Sequence, residues 1–484
     1  MQRIWRALAG GFIWTGAALV TGCAPVGPDF EPPQPEAPLT WAGPAADLTD
    51  QETPTAFADL SDWWATFRDP TLSSLEERAI RSNLDLQQAT ARIRQARAAR
   101  RAAGAGLGPV VDATGAYTRS RTQGGAGFAD QAPAGRIVEL YQSGLDATWE
   151  LDIFGGVRRS IEAADADLQA AVESVHDVLV SVTAEVALSY IELRAAQERL
   201  VIANRNLEAQ RHSASLARQR FEAGFASGLD VASAEAQAAA TAAQIPLLEA
   251  GARQSIYSLS LLLGSEPATL VEELSPPAAI PAASPPVPMG VPSDLLLRRP
   301  DIRRSEAEIH AATARIGVAV ADLFPRFTIS GSGGLQSADF SSAFDWINRF
   351  WSIGPAVRWR VFDSNNIRAN IELQRALQEE SLIAYRRAVL TALQEVESSL
   401  FASVKEEARL RSLAEAAAAQ SKAVELALIL YTEGLTDFLP VLDAQRSLYQ
   451  IEDNVAQSTR TTSTNLVALY KALGGGWEIG AGEN

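Results

Sequence analysis

Two periodicities divide the chain. Apolar residues spaced close to three and four apart run through Leu179, Val182, Val186, Leu193 and Leu200, and again through Val389, Leu393, Val396 and Leu400. Most positions between them are Ala, Glu, Gln, Arg or Ser. This spacing predicts long coiled-coil helices whose small residues permit close approach. The pattern is unbroken from Asp363 to Tyr431, 69 residues, or about 100 Å of helix. Ile245-Pro246 is expected to kink the third long helix, because proline removes a backbone donor and crowds the preceding turn.

The second periodicity is two. In Tyr141–Leu151 one face reads Tyr141, Ser143, Leu145, Ala147, Trp149, Leu151 and the other Gln142, Gly144, Asp146, Thr148, Glu150. Trp351–Val361 alternates likewise, with Ile353, Pro355, Val357 and Trp359 opposing Ser352, Gly354, Arg358 and Arg360. Phe327, Ile329 and Leu335 oppose Arg326, Thr328, Ser330 and Ser332, and a polar alternating stretch runs from Val110 to about Arg121. Strands with one apolar face, one polar face and aromatics near their ends fit a transmembrane β-barrel with a wet lumen. A half-buried soluble sheet shares the period. The absence of another apolar layer favours the membrane, as does Pro355 on the apolar face, which weakens a central soluble strand. Four strands cannot close a barrel, for which about eight is the minimum, so the barrel has to be shared among copies.

The long helical patterns stop and restart twice. Tyr431 to Tyr449 reads YTEGLTDFLPVLDAQRSLY; Phe221 to Ala239, FEAGFASGLDVASAEAQAA, is a weaker copy 210 positions earlier. Gly224 aligns with Gly434, Leu229 with Leu439 and Val231 with Val441. Each copy is a glycine helix stop followed by a restart. In the second, Thr436 or Asp437 is the expected N-cap, and Pro440 is tolerated in the first turn. The offset extends to Trp149 with Trp359 and Gly264 with Gly474, and an offset of 216 relates Asp85 to Asp301 and Pro109 to Pro325. The chain therefore reads as an internal duplication. Residues 1–22 are a signal peptide and 23–83 an N-terminal strap and connecting segment. Residues 84–274 are the first repeat, 275–299 a Pro-rich linker, 300–473 the second repeat and 474–484 a tail. Each repeat holds a helix, two strands and a long helical hairpin.

The net charge of −16 argues against nucleic acid as a partner. The three histidines are far apart in sequence without metal-ligand spacing, and no hydrolase, P-loop or dinucleotide fingerprint is present, so no cofactor, metal or enzymatic role is expected. Arg3 and Arg6 precede an apolar run ending Val20-Thr21-Gly22-Cys23. That junction resembles a bacterial lipobox, and Cys23 is the only cysteine. An ordinary signal peptide with a chance Cys is the alternative. Ala24 rather than Asp follows, as in lipoproteins sent to the outer membrane.

VGPDFEPP after Cys23, DWWATFRDPTLSSL, WELDIFGGVRRS, RRPDIRRSEAEIHAATARIGVAVADLFPRFTISGSGG, YTEGLTDFLPVLDAQRSLY and NLVALYKALGGGW occur in that order. In order and spacing the chain resembles the TolC-like outer membrane factor family, in particular its lipoprotein, NodT-like branch associated with RND-type multidrug efflux. The resemblance implies a mixed membrane α/β fold: a homotrimeric 12-stranded barrel, four strands per chain, continued by a 12-helix periplasmic coiled-coil tunnel with an equatorial region around it. It implies a passive exit duct in the outer membrane. Its partners are a periplasmic adaptor (membrane fusion protein), an inner-membrane RND-type transporter and outer membrane lipids, and no cofactor is needed. A duct for type I protein secretion is the alternative. It places the lipid on Cys23 and adaptor docking on the tips, here Gly224, Asp230, Gly434, Thr436 and Asp437. The periplasmic gate falls on Leu439 and Asp443, four apart on one helix face. Gly224 and Gly434 as simple helix caps, and Asp443 as a surface residue favouring the helix dipole, are the bland readings. The non-lipidated branch has a second Asp where this chain has Pro440, so one acidic ring is implied.

Overall fold

The computed structural model describes residues 24–34, 60–121, 137–282 and 298–478; Cys23 lies outside them. The described residues fall into two compact units. One is built from residues 24–33, 93–121, 137–170 and 305–385. The other takes residue 34 and residues 60–92, 171–282, 298–304 and 386–478.

The sheet belongs to the first unit. Strands β1 (Val110–Arg121), β2 (Ile137–Leu151), β3 (Arg326–Ser337) and β4 (Arg349–Arg358) form one antiparallel sheet in the order β1-β2-β3-β4. The register confirms the expected faces. Trp149, Ile329 and Pro355 share a row; the next rows on that side are Ala147–Gly331–Ile353 and Leu145–Gly333–Trp351. The opposite side carries Asp112–Asp146–Ser332–Ser352. Trp351, Ile353 and Val357 are 77, 72 and 60% exposed, so nothing among the described residues covers them.

Two strand ends differ from expectation. β2 begins at Ile137 rather than Tyr141, and β4 stops at Arg358 rather than Val361. Trp359 leaves the strand with its indole N–H donating to the Leu323 carbonyl at 3.0 Å; Trp149 does the same to Leu107 at 2.9 Å. Each Trp thus satisfies a carbonyl in the turn between a helix and a strand. Those helices are α2 (Leu84–Ala105), before β1, and α6 (Pro300–Ala321), before β3.

From the strands the chain enters α3 (Gly156–Glu222) and α7 (Asn366–Thr432), each of 67 residues. Their bounds differ by 210 at both ends, as the sequence offset requires. Helix α7 starts three residues after the expected Asp363, because Ser364 and Asn365 take left-handed conformations and the Asp363 carboxylate accepts the Ile367 amide at 2.8 Å. The strap 24–34 is extended and pinned to the first unit. Buried Arg159 donates to the Val26 carbonyl at 3.1 Å and to Asp29 at 2.6 Å, and Phe30 stacks on His310 at 4.4 Å.

The second unit holds the hairpins. After α3 come α4 (Gly228–Ala242) and α5 (Ile245–Leu262); after α7 comes the unbroken α8 (Leu439–Ala472). The predicted kink at Pro246 is a full interruption at Ala243-Gln244, with Pro246 in the first turn of α5. The corresponding position in α8 is Ala456, which leaves that helix intact. Trp63–Phe67 forms a short 3-10 turn, and α1 (Pro70–Ser82) follows with Asp69 as N-cap, accepting from the Thr71 and Leu72 amides. The aromatic turn and Leu72, Leu75 and Ala79 are buried. Asn83 caps α2 and donates to the Leu262 carbonyl at 2.8 Å, while Arg299 donates to Ala472 at 2.9 Å. Each repeat therefore ties the far end of its hairpin to the chain just before its first helix.

Candidate functional site

The two tips come together in the second unit. Gly224 and Gly434 have φ of +82° and +76°, a region glycine enters without a Cβ penalty. At the first tip the Phe225 amide reaches the Arg220 carbonyl and Gly224 that of Phe221; at the second, Leu435 reaches Leu430 and Gly434 reaches Tyr431. Both are Schellman stops, built by the same residues of the 210-offset motif.

The restarts differ. Ser227 is the N-cap of α4, and Asp230 completes a capping box by accepting the Ser227 amide at 3.0 Å. At the second tip neither Thr436 nor Asp437 is the N-cap: Phe438 takes that place without a side-chain cap bond. The physical reason is packing. Phe438 is 1% exposed and its ring meets Tyr431 edge-on at 5.2 Å. Both belong to one apolar cluster with Ala217, Ala234, Val441 and Leu442, drawn from α3, α4, α7 and α8. Burial of that ring decides where α8 begins, and Thr436 and Asp437 are left on the turn, half-buried and exposed respectively.

Leu439 and Asp443 lie one turn apart on the exposed side of α8, with Leu439 59% exposed, while Val441, Leu442 and Gln445 face inward. The structure thus gathers Gly224, Asp230, Gly434, Thr436 and Asp437 at the tips and puts Leu439 and Asp443 on open helix surface just above.

One residue at this site was not anticipated. Arg220, in the last turn of α3, donates through Nη1 to the carbonyls of Tyr431 and Thr432 at 2.9 and 3.0 Å. Its guanidinium lies over the Tyr431 ring, 4.8 Å from the centroid. A cation thus caps the C-terminus of the neighbouring hairpin's helix. A cavity of about 630 Å³ opens beside it, lined by Leu216, Gln219, Phe225 and Glu433 among others. Burial raises the Tyr431 phenol above its ordinary range, and Arg220 opposes that shift. Only a cation four residues before the glycine stop could have signalled this contact, and the sequence does not say which carbonyls it reaches.

Among the described residues no group of histidine, cysteine or carboxylates is arranged to hold a metal. His176 faces Glu173 and Trp477; His310 faces Glu162 and Phe30.

The outer membrane efflux protein family matches residues 75–265 and 291–475. The chain belongs to the outer membrane efflux protein family. It is 33% identical to the pyoverdine export outer membrane protein OpmQ of Pseudomonas aeruginosa, over 95% of this chain and 97% of that one. It is 32% identical to nodulation protein T of Rhizobium leguminosarum bv. trifolii, over 95% and 96%. Among solved structures, the outer-membrane channel OprN superposes with a TM-score of 0.86 at 38% identity, over 94% of this chain and 99% of that one. As a member of this efflux family the chain is a non-enzymatic outer membrane duct that extends into the periplasm. The TolC-like, NodT-like resemblance read from the motifs is thereby established.

Proposed function

We propose that three copies of this chain close a twelve-stranded barrel in the outer membrane, continued by a twelve-helix periplasmic tunnel. The carrying observation is the sheet: four strands, one face apolar and exposed, the other polar, with β1 and β4 as unpaired edges among the described residues. An open sheet of this kind presents two rows of unsatisfied backbone groups, and in lipid only closure satisfies them. Copies adding β4 to β1 remove both edges. The apolar face then meets acyl chains and the polar face lines a wet lumen.

In this reading the duct is passive. The tips dock a periplasmic adaptor through the exposed turns around Gly224, Asp230, Gly434, Thr436 and Asp437. An inner-membrane RND-type transporter supplies the energy, and a lipid on Cys23 anchors the N-terminus beside the barrel. Leu439 and Asp443 become threefold rings that narrow the periplasmic end. The relatives' names support export of small molecules: one exports pyoverdine, and a third relative, from Pseudomonas putida, is a toluene efflux pump component. The test is purification of the full chain, sizing by native mass spectrometry, and insertion into planar bilayers. Trimers with discrete conductance steps are expected; monomers without conductance would overturn the reading.

A further inference from the structure

The lipid-facing side changes character toward the loops that join β1 to β2 and β3 to β4. Below, its rows are Trp149–Ile329–Pro355 and Ala147–Gly331–Ile353. Above come Gly115–Ser143–Leu335–Arg349, then Tyr117–Tyr141–Ser337, then Arg119–Glu139 and Arg121–Ile137. Alternation puts all of these on one side of the sheet, so the arginines at the loop end point where the tryptophans and isoleucines point. Arg119 is paired with Glu139 at 3.3 Å. Arg121 is exposed, and Arg349 is exposed with its guanidinium 5.2 Å from the Trp346 ring centroid and one N–H on the Trp346 carbonyl at 3.1 Å.

Aromatic rings continue from that margin into the β3–β4 loop. Tyr117 lies 4.7 Å from Tyr141, Tyr141 5.5 Å from Phe340 and Phe340 6.4 Å from Phe344. Phe340, Phe344, Trp346 and Ile347 are 67, 72, 75 and 81% exposed. Water is a poor neighbour for such a surface, whereas the boundary between acyl chains and headgroups suits amphipathic rings. The loop's carboxylates, Asp339 and Asp345, sit at the N-cap positions of its two 3-10 turns.

We propose that this margin is a docking site for a phosphate-bearing lipid headgroup of the outer leaflet. Arg349 and Arg121 hold the phosphate, and the rings of Tyr141, Phe340, Phe344 and Trp346 lie against the acyl-chain boundary. The proposal rests on the barrel reading above. It follows from charge: in a chain of net charge −16, the loop-end rows of the lipid-facing side interleave Arg349, Arg119 and Arg121 with the aromatic rings of Tyr117, Tyr141 and the β3–β4 loop. Guanidinium groups match phosphate geometry with paired N–H donors. In the proposed barrel β4 pairs with β1 of the neighbouring copy, so each junction carries Arg349 on one strand and Arg121 on the other.

The experiment is native mass spectrometry of the full chain in detergent, titrated with diphosphoryl lipid A against phosphatidylcholine. Preferential retention of lipid A is expected. Arg349→Gln and Arg121→Gln should each lower that preference about fivefold and multiply in the double variant. Arg349→Lys should keep most of it. Arg358→Gln, on the opposite side of the sheet, should leave it unchanged. Equal retention of the two lipids, insensitivity to both substitutions, an equal loss in Arg358→Gln, or binding of inorganic phosphate without any lipid preference would each overturn the site. Planar-bilayer conductance of the same variants tests the barrel separately: conducting variants with lost preference support the site, and a wild-type chain without conductance removes the barrel on which it rests.

Discussion

Arg220 and Tyr431 lock the two hairpin tips together: one guanidinium stacks 4.8 Å over the phenol ring and bonds the carbonyls at the end of that ring's own helix. The contact joins α3 to α7 where each helix stops. Arg220→Ala is expected to loosen the second Schellman turn by about 1.5 kcal/mol, roughly tenfold in local opening. Hydrogen exchange of the Gly434 and Leu435 amides, which close that turn, reads it directly. Unchanged exchange would assign the closure to the apolar cluster around Phe438 instead.

Glu76 gives a pH dependence. It is fully buried on α1, neither carboxylate oxygen has a hydrogen-bond partner among the described residues, and burial raises its pKa well above the ordinary value. The folded state therefore holds a proton that the unfolded chain releases near pH ~4.3. Stability is highest below that pH and falls as pH rises toward the folded-state pKa. Glu76→Met removes the penalty. Thermal unfolding should show the variant gaining on wild type from about pH 5 upward and the two converging below about pH 4. A gain that does not grow with pH would show that the folded carboxyl titrates normally.

The repeat was legible because glycine stops and alternating strands are local signals. Gly224 and Gly434 reproduce one conformation 210 residues apart, and α3 and α7 end at matching places. What escaped was decided by packing at a distance. Phe438 displaced Thr436 and Asp437 as N-cap because its ring is buried against Tyr431. Trp149 and Trp359 bond carbonyls 42 and 36 residues away, and no hydropathy pattern marks such a contact. Nothing in the sequence sets Glu76 apart from the exposed Glu77 beside it; only its burial does. The candidate site residues come from the tip motif and the family resemblance, which already allowed Asp230 a capping role; its partner Ser227 and the Arg220 lock are visible only in three dimensions.

Gly434 separates docking from folding. A Cβ there would sit 3.4 Å from Arg220 Nη2, and the positive φ penalises any side chain by about 1 kcal/mol. Gly434→Ala should therefore assemble and still export. Gly434→Trp should assemble equally well but abolish export complementation, because its indole would project from the turn proposed to dock the adaptor. Export by the Trp variant would place docking elsewhere.

Cys23 follows Val20-Thr21-Gly22 in a chain with no other cysteine. Mass spectrometry of the mature chain is expected to find Cys23 as an acylated N-terminus; two or more acyl chains give stable anchoring where one does not. Cys23→Ser behind a cleavable signal should still yield trimers, since the proposed barrel would hold the membrane independently. An unmodified N-terminus at another residue would refute the anchor.

The proposed gate rests on which side of α8 is free. Val441, Leu442 and Gln445 are buried, with Gln445 bonded to Ser213 at 2.8 Å, so Leu439 and Asp443 occupy the opposite, open side. In the proposed trimer they would form an apolar constriction one helical turn from a ring of three carboxylates. Pro440 stands where a second acid would double the ring, so the proposed gate carries a single acidic ring. Like charges held close repel one another and retain cations, and salt screens both effects. Leu439→Ala with Asp443→Ala is therefore expected to raise single-channel conductance of the isolated trimer and to weaken block by divalent or polyamine cations. Asp443→Asn alone should relieve the block while changing conductance less, because it removes charge without widening the apolar ring. A correctly assembled double variant with wild-type conductance would move the constriction away from α8.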